Sequence, residues 1–374
     1  MLSESLSHQF TIENDALMGR TLLANQSYRP GQILWTESSF LYASDDEEFS
    51  AAHQELLRHA LPSSILSSLP ELIDTLASSM QRIQSLDTAK SFLIFLSIYI
   101  LRKRDPESLA SILSKIDGSS SSREVEYKLS LLDQLTGQNL NECLDDMRSI
   151  KAQFPSLLPK SIPIRDAAQM LAILNTNQLE LENGSGLFPW TAILQHDCNP
   201  NCSFTTHGSQ LYLCCIRHIT AGERLSIDYG NHFYEPTSDR IKSLQQTYGF
   251  TCQCMLCIGP DRKRGFRCTA CSDGIVFPIS TSQSSSPCSS CGAILAPEAY
   301  QQCIDREDFY KTSEPTDTIT QFQQESLLHS THYLRFWALD AVTTELTERA
   351  REEQFVGKEN NSVKLYKQAQ ETLK

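Results

Sequence analysis

The sequence predicts an α+β fold, in which two strand-rich segments are separated by a long helical insert. Strand patterns cover residues 10–42 and return at 174–230. Residues 46–173 instead carry apolar side chains at three- and four-residue spacing, which is the period of amphipathic helices. A regular alternation of strand and helix, which would predict a parallel sheet, is not visible. All of the 13 cysteines except Cys143 follow residue 197, so a cysteine-rich region comes after the strands.

The first two strands are predicted to form a hairpin. The segments "RTLLANQ" (20–26) and "GQILWTE" (31–37) flank "SYRPG" (27–31), in which Pro and Gly stand where a tight connection favours them. The most apolar part of the insert is "FLIFLSIYIL" (92–101). It is about half as long as the roughly 20 residues that a membrane span requires, so we expect a buried helix there and no membrane association.

Composition and charge exclude several classes of protein. The content of 40% hydrophobic and 21% charged residues is that of a soluble globular protein. The length of 374 residues is sufficient for two or three domains. A net charge of −13 argues against direct nucleic-acid binding. The first residues, "MLSESLSHQF", lack the basic-then-apolar order of a signal peptide. We therefore expect a monomer in a reducing compartment, the cytoplasm or alternatively the nucleus, where disulfides are rare.

Three closely spaced cysteines predict a metal site. Cys252, Cys254 and Cys257 lie within six residues, a spacing that can occupy three corners of a tetrahedral zinc site. The fourth ligand is predicted to be Cys202, because a ligand from a distant segment would attach this region to the strands. Free buried thiols are the alternative interpretation.

A second set of cysteines has the spacing of a zinc ribbon. Two C-x2-C pairs, Cys268 with Cys271 and Cys288 with Cys291, are separated by a segment of suitable length. The sequence therefore predicts two zinc ions. The remaining cysteines, Cys198 among them, are expected to be small buried hydrophobic side chains.

The stretch "QHDCNPNC" (195–202) also raises the question of a thiol nucleophile. His196 and Cys198 are close in sequence, as in Cys–His enzymes. Adjacent strand residues point to opposite faces and no separate base is evident, so we expect no such pair. An Asp-Tyr pair follows a strand in "AGERLSIDYG" (221–230), and by itself it indicates little.

Three motifs in order carry a family resemblance. "QHDCNPNC" matches the pattern N-H-S-C-x-P-N-C, "GERLSIDY" (222–229) matches G-E-E-L-x-x-x-Y, and "CQCMLC" (252–257) matches a C-x-C-x2-C post-SET motif. The chain thus resembles the SET-domain protein methyltransferases. The helical insert, "ILNTNQLEL" (173–181) and "IKSLQQTYGFTCQC" (241–254) are similar to the SMYD branch of that family.

The resemblance extends to one subgroup of that branch. The "HDC" variant (196–198), the second cysteine set and "LLHSTHYL" (327–334) are similar to the arthropod SmydA group. Residues 43–172 contain one cysteine, too few for the two zinc ions of the family's MYND module, so we expect that module to be absent.

The resemblance implies a division of the chain into five parts. They are the two parts of a SET-domain β-fold (8–44 and 173–230), the helical insert (45–172), a post-SET and zinc-ribbon-like region (241–295) and C-terminal helices (317–374).

The resemblance also implies a cofactor, a substrate and the residues that meet them. The cofactor would be S-adenosylmethionine, the product a methylated lysine of a protein substrate, and the channel for that lysine would be lined by tyrosines. The implied catalytic residues are Tyr229 and Tyr248. The implied cofactor-binding residues are Arg20, Asn177, Gln195, His196, Tyr229 and Phe250.

Three departures from the family pattern leave other functions open. The family's Asn is Gln195, its Ser is Asp197, and the second Gly of its first G-x-G is Thr21. A longer amide and an added branched side chain could weaken cofactor binding. The alternatives are a SET-scaffold binding module with little or no catalysis, and a zinc-ribbon interaction protein.

Overall fold

The structure is a computed structural model that describes residues 8–15, 19–44, 48–79, 86–116, 126, 129–230, 234–279, 284–356 and 358–372. Two compact units make up the chain. The first comprises Met1–Asp228 with Thr247–Gly249, and the second comprises Tyr229–Gln246 with Phe250–Lys374. Strands dominate the two ends of the first unit, with helices between them, so the predicted α+β class is confirmed.

The strands of the first unit form small sheets. They are β1 (Phe10–Asp15), β2 (Gly19–Ala24), β3 (Ile33–Ser38), β4 (Leu41–Ser44), β5 (Gln178–Leu181), β6 (Gly184–Leu187), β7 (Gln195–His196), β8 (Cys202–His207), β9 (Gln210–Cys215) and β10 (Ser226–Ile227). The described antiparallel sheets have the orders β1-β2, β3-β9-β8 and β4-β6-β5, whereas β7 and β10 pair in parallel. A short 3-10 helix spans Thr191–Ile193.

The prediction of a hairpin between β2 and β3 is wrong. Strand β2 pairs with β1, and β3 pairs with β9. The connection is itself paired, because Tyr28 exchanges backbone hydrogen bonds of 2.9 and 3.0 Å with Ile219. Gly31, at φ +85°, donates its N–H to the carbonyl of Cys215 at 2.7 Å. The turn residues therefore guide β3 onto a strand that is distant in sequence.

The insert is a helical layer built around one central helix. Its helices are α1 (Ala51–Ala60), α2 (Ser63–Leu66), α3 (Leu69–Ser79), α4 (Leu86–Arg104), α5 (Pro106–Ile116), α6 (Leu140–Gln153) and α7 (Ile164–Asn177). Helix α4 packs against α1, α3, α5 and α7. Most of its apolar residues from Phe92 to Leu101 are buried, so the prediction of a buried helix is confirmed. Within the described ranges, no helix is both long and apolar enough to cross a membrane.

The second unit contains short strands followed by longer helices. Its elements are α8 (Thr237–Tyr248, whose last two residues belong to the first unit), α9 (Met255–Ile258), β11 (Phe266–Arg267), β12 (Ile275–Val276), β13 (Pro278–Ile279), β14 (Ser284–Ser285), α10 (Pro297–Lys311), α11 (Pro315–Phe322), α12 (Tyr333–Phe355) and α13 (Glu359–Thr372). Phe266, Val276 and Leu328 are fully buried in its core. Cysteine side chains share this core, which ties the cysteine-rich segment to α10 and α12.

Candidate functional site

Two distant segments of the first unit interlock at residues 195–202 and 223–228, which we call the interlock. Strands β7 and β10 pair in parallel, with Gln195 opposite Ser226 and His196 opposite Ile227. The pairing continues beyond β7, because the Asp197 N–H donates to the Ile227 carbonyl at 3.0 Å. The two motifs that the sequence singled out separately are therefore one structural element.

Asn201 fastens the interlock with its side-chain amide. Its Nδ2 donates to Glu223 Oε1 at 3.0 Å and to the Arg224 carbonyl at 2.7 Å, while its Oδ1 accepts the Ser226 N–H at 2.8 Å. The residue is completely buried. Both ends of the amide are thus satisfied inside the protein, and a buried polar group without such partners would cost about 1–3 kcal/mol.

Arg20 and Gln195 are brought together beside this element. Gln195 Nε2 donates to the Arg20 carbonyl at 2.6 Å. The Arg20 guanidinium in turn donates from Nη1 to Gln134 Oε1 at 3.4 Å and from Nη2 to the Gln134 carbonyl at 3.2 Å. Two of the predicted cofactor-binding residues are therefore neighbours, and residue 134 of the helical insert meets one of them.

Thr21 is accommodated without unsatisfied polar groups. Its side chain is buried, and its Oγ1 lies 3.4 Å from the Glu13 carbonyl of the adjacent strand β1. Gly19, two residues earlier, has φ +74° and open space where a side chain would begin. The branched side chain at position 21 is therefore bonded to β1.

Asn177 is the last residue of α7 and also contacts the insert. Its Nδ2 donates to the Thr136 carbonyl at 3.0 Å and to the Ile173 carbonyl at 2.9 Å. Because Thr136 is two residues from Gln134, the same short segment touches both Arg20 and Asn177.

His196 and Cys198 meet, contrary to expectation. His196 Nε2 lies 3.2 Å from Cys198 Sγ, and His196 Nδ1 lies 3.7 Å from Asp228 Oδ1. The two residues are two positions apart, so the rule for adjacent strand residues did not apply to them. Both are buried. The contact is therefore enclosed within the first unit.

The predicted channel aromatics have distinct surroundings. In the second unit, the Tyr229 and Phe250 rings meet edge to face, with centroids 6.4 Å apart. In the first unit, burial and then the charge of Asp228 raise the pKa of Tyr248. Tyr248 is therefore a neutral phenol at physiological pH, which can donate a hydrogen bond.

Four thiols of the second unit have the geometry of a zinc site. The sulfur atoms of Cys268, Cys271, Cys288 and Cys291 lie within 4.8 Å of one another, and the 268–291 and 271–288 pairs are each 3.7 Å apart. A tetrahedral zinc site with Zn–S bonds near 2.3 Å has sulfur atoms about 3.8 Å apart. A disulfide would need about 2.05 Å. The separations therefore fit a metal ion and exclude disulfides.

The surroundings of these thiols also suit a cation. Backbone N–H groups of Ala270 and Ser290 donate to the sulfurs of Cys268 and Cys288 at 3.3 and 3.4 Å. A Cβ on Gly274 would lie 2.0 Å from Cys288 Sγ, so only glycine permits the four sulfurs to converge.

The four thiols differ in how easily they lose a proton. The amides of Cys291 and Ser290 lower the pKa of Cys288 to about 6, whereas burial and the other three thiols raise the pKa of Cys271 to about 12. A divalent cation would favour the thiolate form of all four.

The predicted fourth ligand of the other group, Cys202, lies in the first unit. It is the first residue of β8, is fully buried opposite Cys215, and has its sulfur 3.4 Å from Asn201 Oδ1. Burial raises the pKa of Cys202 to about 12. Cys252, Cys254 and Cys257 belong to the second unit. Two four-cysteine groups could hold two zinc ions.

Comparison with known proteins gives the family. Residues 19–230, more than half of the chain, match the family model described as SET domain. The chain belongs to the SET-domain family. The interlock lies at the C-terminal end of the matched SET domain, and the predicted SET fold is confirmed.

Curated relatives of this SET domain include SMYD proteins. "Histone-lysine N-methyltransferase SMYD3" of Mus musculus is 35% identical over 115 residues, which cover 29% of this chain and 26% of the relative. "N-lysine methyltransferase SMYD2" of Rattus norvegicus is 28% identical over 151 residues, 38% of this chain and 33% of the relative. The chain thus spans about a third or less of the length of these relatives, and its predicted similarity to SMYD proteins is confirmed.

The SET domain of LSMT, bound to lysine and AdoHcy, superposes with a TM-score of 0.32 and 16% identity, over 67% of this chain and 54% of that one.

Sequence reasoning missed two residues, Gln134 beside Arg20 and Gly274 beside the thiols of the second unit, because neither carried a recognised signal. Cys198 was expected to be a buried side chain, and it is buried against His196. Gln134 and Arg20 are 114 residues apart in the sequence, so no local pattern reveals their contact.

Proposed function

We propose that this chain is an S-adenosylmethionine-dependent protein-lysine N-methyltransferase of the SMYD type. The observation that carries the proposal is the interlock within a SET domain, because it joins Gln195 and His196 to the segment that leads into Tyr229. Curated relatives whose names describe lysine methyltransferases support the same reaction.

The cofactor would be held by the predicted set Arg20, Asn177, Gln195, His196, Tyr229 and Phe250. S-adenosylmethionine, when bound, supplies a methyl group on a positively charged sulfur. Arg20 offers a cation to the cofactor's carboxylate, and the contacts from Gln134 to its guanidinium support a fixed orientation. Phe250 offers an aromatic face, held edge to face against Tyr229.

Tyr229 and Tyr248 would act on the substrate lysine. Aromatic walls exclude water, and a desolvated lysine has a lower pKa, so more of it is the neutral nucleophile. Methyl transfer then depends on alignment of the amine with the methyl group, which the Tyr229 hydroxyl would provide. The raised pKa of Tyr248 keeps its hydroxyl neutral, and its oxygen can accept a hydrogen bond from an amine N–H while the lone pair of the amine points to the methyl group.

Both cysteine groups would bind zinc as structural sites. Four thiolates close the coordination shell, so neither ion would take part in the chemistry. Their contribution would be to order the segments that carry Tyr248, Phe250 and the ribbon-like strands.

The decisive variant is Tyr229→Phe. The ring keeps its packing while the hydroxyl that orients the amine is lost, so turnover should fall by about 10²–10³ with cofactor affinity nearly unchanged. Methyl transfer to a lysine-containing protein substrate and calorimetric titration with S-adenosylmethionine measure the two quantities. Tyr212→Phe, which removes a hydroxyl from β9 that contacts Gln210, is the matched control.

A SET-scaffold binding module is the second candidate. One observation favours it: the longer amide of Gln195 donates to the Arg20 carbonyl within the protein. Cofactor binding without turnover on any lysine-containing protein tested would support the module. If the protein bound neither S-adenosylmethionine nor S-adenosylhomocysteine, the methyltransferase function would be rejected.

The finer assignments rest on the sequence alone. We infer membership of the arthropod SmydA group from the "HDC" variant, the second cysteine set and "LLHSTHYL". We infer the absence of a MYND module from the single cysteine in residues 43–172. The proposed location is the cytoplasm, with the nucleus as the alternative, and the proposed partner is a protein with a target lysine.

A further inference from the structure

Residues 134–138, "QLTGQ", form a short segment of the insert, which we call the strap. It contacts two candidate cofactor residues, Arg20 and Asn177. Leu135 anchors it in the core of the insert. Just before the strap, Leu131 packs with Trp190 and Ile193 of the SET domain. The strap is thus held between the helices and the strands.

Close packing allows the strap to lie where it does. A Cβ on Gly137 would lie 2.1 Å from the Ala172 carbonyl carbon of helix α7, so glycine alone fits this approach. On either side, the Thr136 carbonyl accepts from Asn177 at 3.0 Å and the Gln138 N–H donates to Thr176 Oγ1 at 2.9 Å. Three contacts therefore fix the strap to the last two turns of α7.

The N-terminal end of the strap orients Arg20. Gln134 Nε2 donates to the Ser130 carbonyl at 2.9 Å, which turns its Oε1 acceptor toward Arg20 Nη1. The Gln134 carbonyl accepts from Nη2 of the same guanidinium at 3.2 Å. Two contacts to a planar guanidinium define its plane, and a bidentate carboxylate must approach in that plane.

We propose that Gln134 is a positioning residue for cofactor binding: through Arg20, it sets the direction in which the guanidinium meets the carboxylate of an amino-acid-bearing nucleoside. The inference rests on the proposed function and adds to it a residue of the insert. Gln134 is exposed and lies outside the main core, so its replacement by alanine should leave the fold intact.

Two ligands separate positioning from general support. S-adenosylhomocysteine carries the carboxylate, whereas methylthioadenosine has the same nucleoside and sulfur without the amino-acid part. By calorimetry, Gln134→Ala should weaken the binding of S-adenosylhomocysteine about tenfold, which corresponds to the loss of one hydrogen bond to a charged group. It should change methylthioadenosine affinity by less than about twofold, because the nucleoside does not meet Arg20.

A matched control and a double variant complete the test. Gln153→Ala, at an exposed position ending α6, should change neither affinity. In an Arg20→Ala background, Gln134→Ala should have no further effect, since it acts through Arg20. Equal weakening of both ligands, no weakening of either, or an undiminished effect in that background would overturn the inference. If the wild type binds neither ligand, the proposed function fails first and the inference with it.

Discussion

The interlock at 195–202 and 223–228 and the ribbon, by which we mean residues 266–291, are built in different ways. The interlock relies on one buried amide, that of Asn201, which makes three hydrogen bonds of 2.7–3.0 Å. The ribbon has strand pairs of two residues each, and its four thiols converge around Gly274. Among its described residues, the fully buried apolar side chains are Phe266 and Val276.

This difference shows which region depends on a metal. Both regions are built on strands of two residues, so each needs further stabilisation. In the ribbon a metal ion held by the four converging thiols would supply it. In the interlock the buried amide of Asn201 supplies it. We therefore expect the two regions to respond independently to changes in their own stabilising groups.

The largest effect is expected from Cys288→Ser in the ribbon. Structural zinc contributes about 10–16 kcal/mol in small modules, and serine is a poor substitute for a thiolate ligand. The variant should lose one of its metal ions in elemental analysis, and the ribbon should lose hydrogen-exchange protection while the interlock keeps it.

Cys214→Ser is the control, because Cys214 belongs to neither group of four thiols. Full metal content in Cys288→Ser, or loss of protection in the interlock as well, would contradict the independence of the two regions.

A smaller effect is expected from Asn201→Ala in the interlock. The change leaves the Ser226 N–H and the Arg224 carbonyl without their buried partner, so the free energy of unfolding should fall by about 2–3 kcal/mol. Urea unfolding measures this loss, and metal analysis should show an unchanged ribbon site. Asn199→Ala, at an exposed neighbouring position, should be nearly neutral. A similar loss for both variants would mean that the Asn201 amide is not what holds the interlock.

The smallest effect is expected from pH, and it begins near the ribbon. In the second unit, buried Glu307 accepts hydrogen bonds from Arg264 Nε at 2.7 Å and from His332 Nε2 at 2.8 Å. His332 Nδ1 accepts the Leu334 N–H at 3.3 Å and caps α12, so the ring is neutral. Burial lowers the pKa of His332, although Glu307 opposes the shift.

Acid should therefore weaken the second unit before the interlock. Because the folded pKa of His332 is lowered, the unfolded chain binds more protons once pH falls below about 6.5, and stability decreases by up to about 1.4 kcal/mol per pH unit. The lowered pKa of Glu223 contributes stability that is lost only as pH falls below its ordinary value of 4.5, so the interlock keeps this contribution between pH 7.5 and 5.5. Calorimetric unfolding at pH 7.5 and 5.5, with metal content measured at both, tests this expectation. His332→Asn keeps a cap without titrating and should reduce the difference, while His53 and His329, whose pKa values are also lowered, account for the rest. An undiminished difference in this variant would contradict the contribution of His332.

Local patterns were sufficient for some parts of the molecule. The C-x2-C pairs of the ribbon identified their own group, because each knuckle places two thiols within one turn and both pairs lie in one short region. Helix α4 was recognised from its continuous apolar run, and the SET motifs indicated the family. For these features, the residues that interact are near one another in sequence.

Contacts between distant segments were not accessible in this way. The motif 195–202 contains two cysteines, and only the structure shows that Cys202 is buried on β8 opposite Cys215 while Cys198 meets His196. The turn at 27–31 looked like a hairpin because the preference of Pro and Gly for turns does not specify a partner strand.

By itself, the sequence determined the α+β class, the SET family, the helical insert and the four cysteines that come together in the ribbon. Tertiary structure alone decided the surroundings of Cys202, the contact between His196 and Cys198, and the contact of the strap with Arg20. The physical reason is that periodicity and spacing specify which face of a local element a residue occupies. Which distant group meets that face depends on strand register and close packing, as the approach of Gly137 to α7 illustrates.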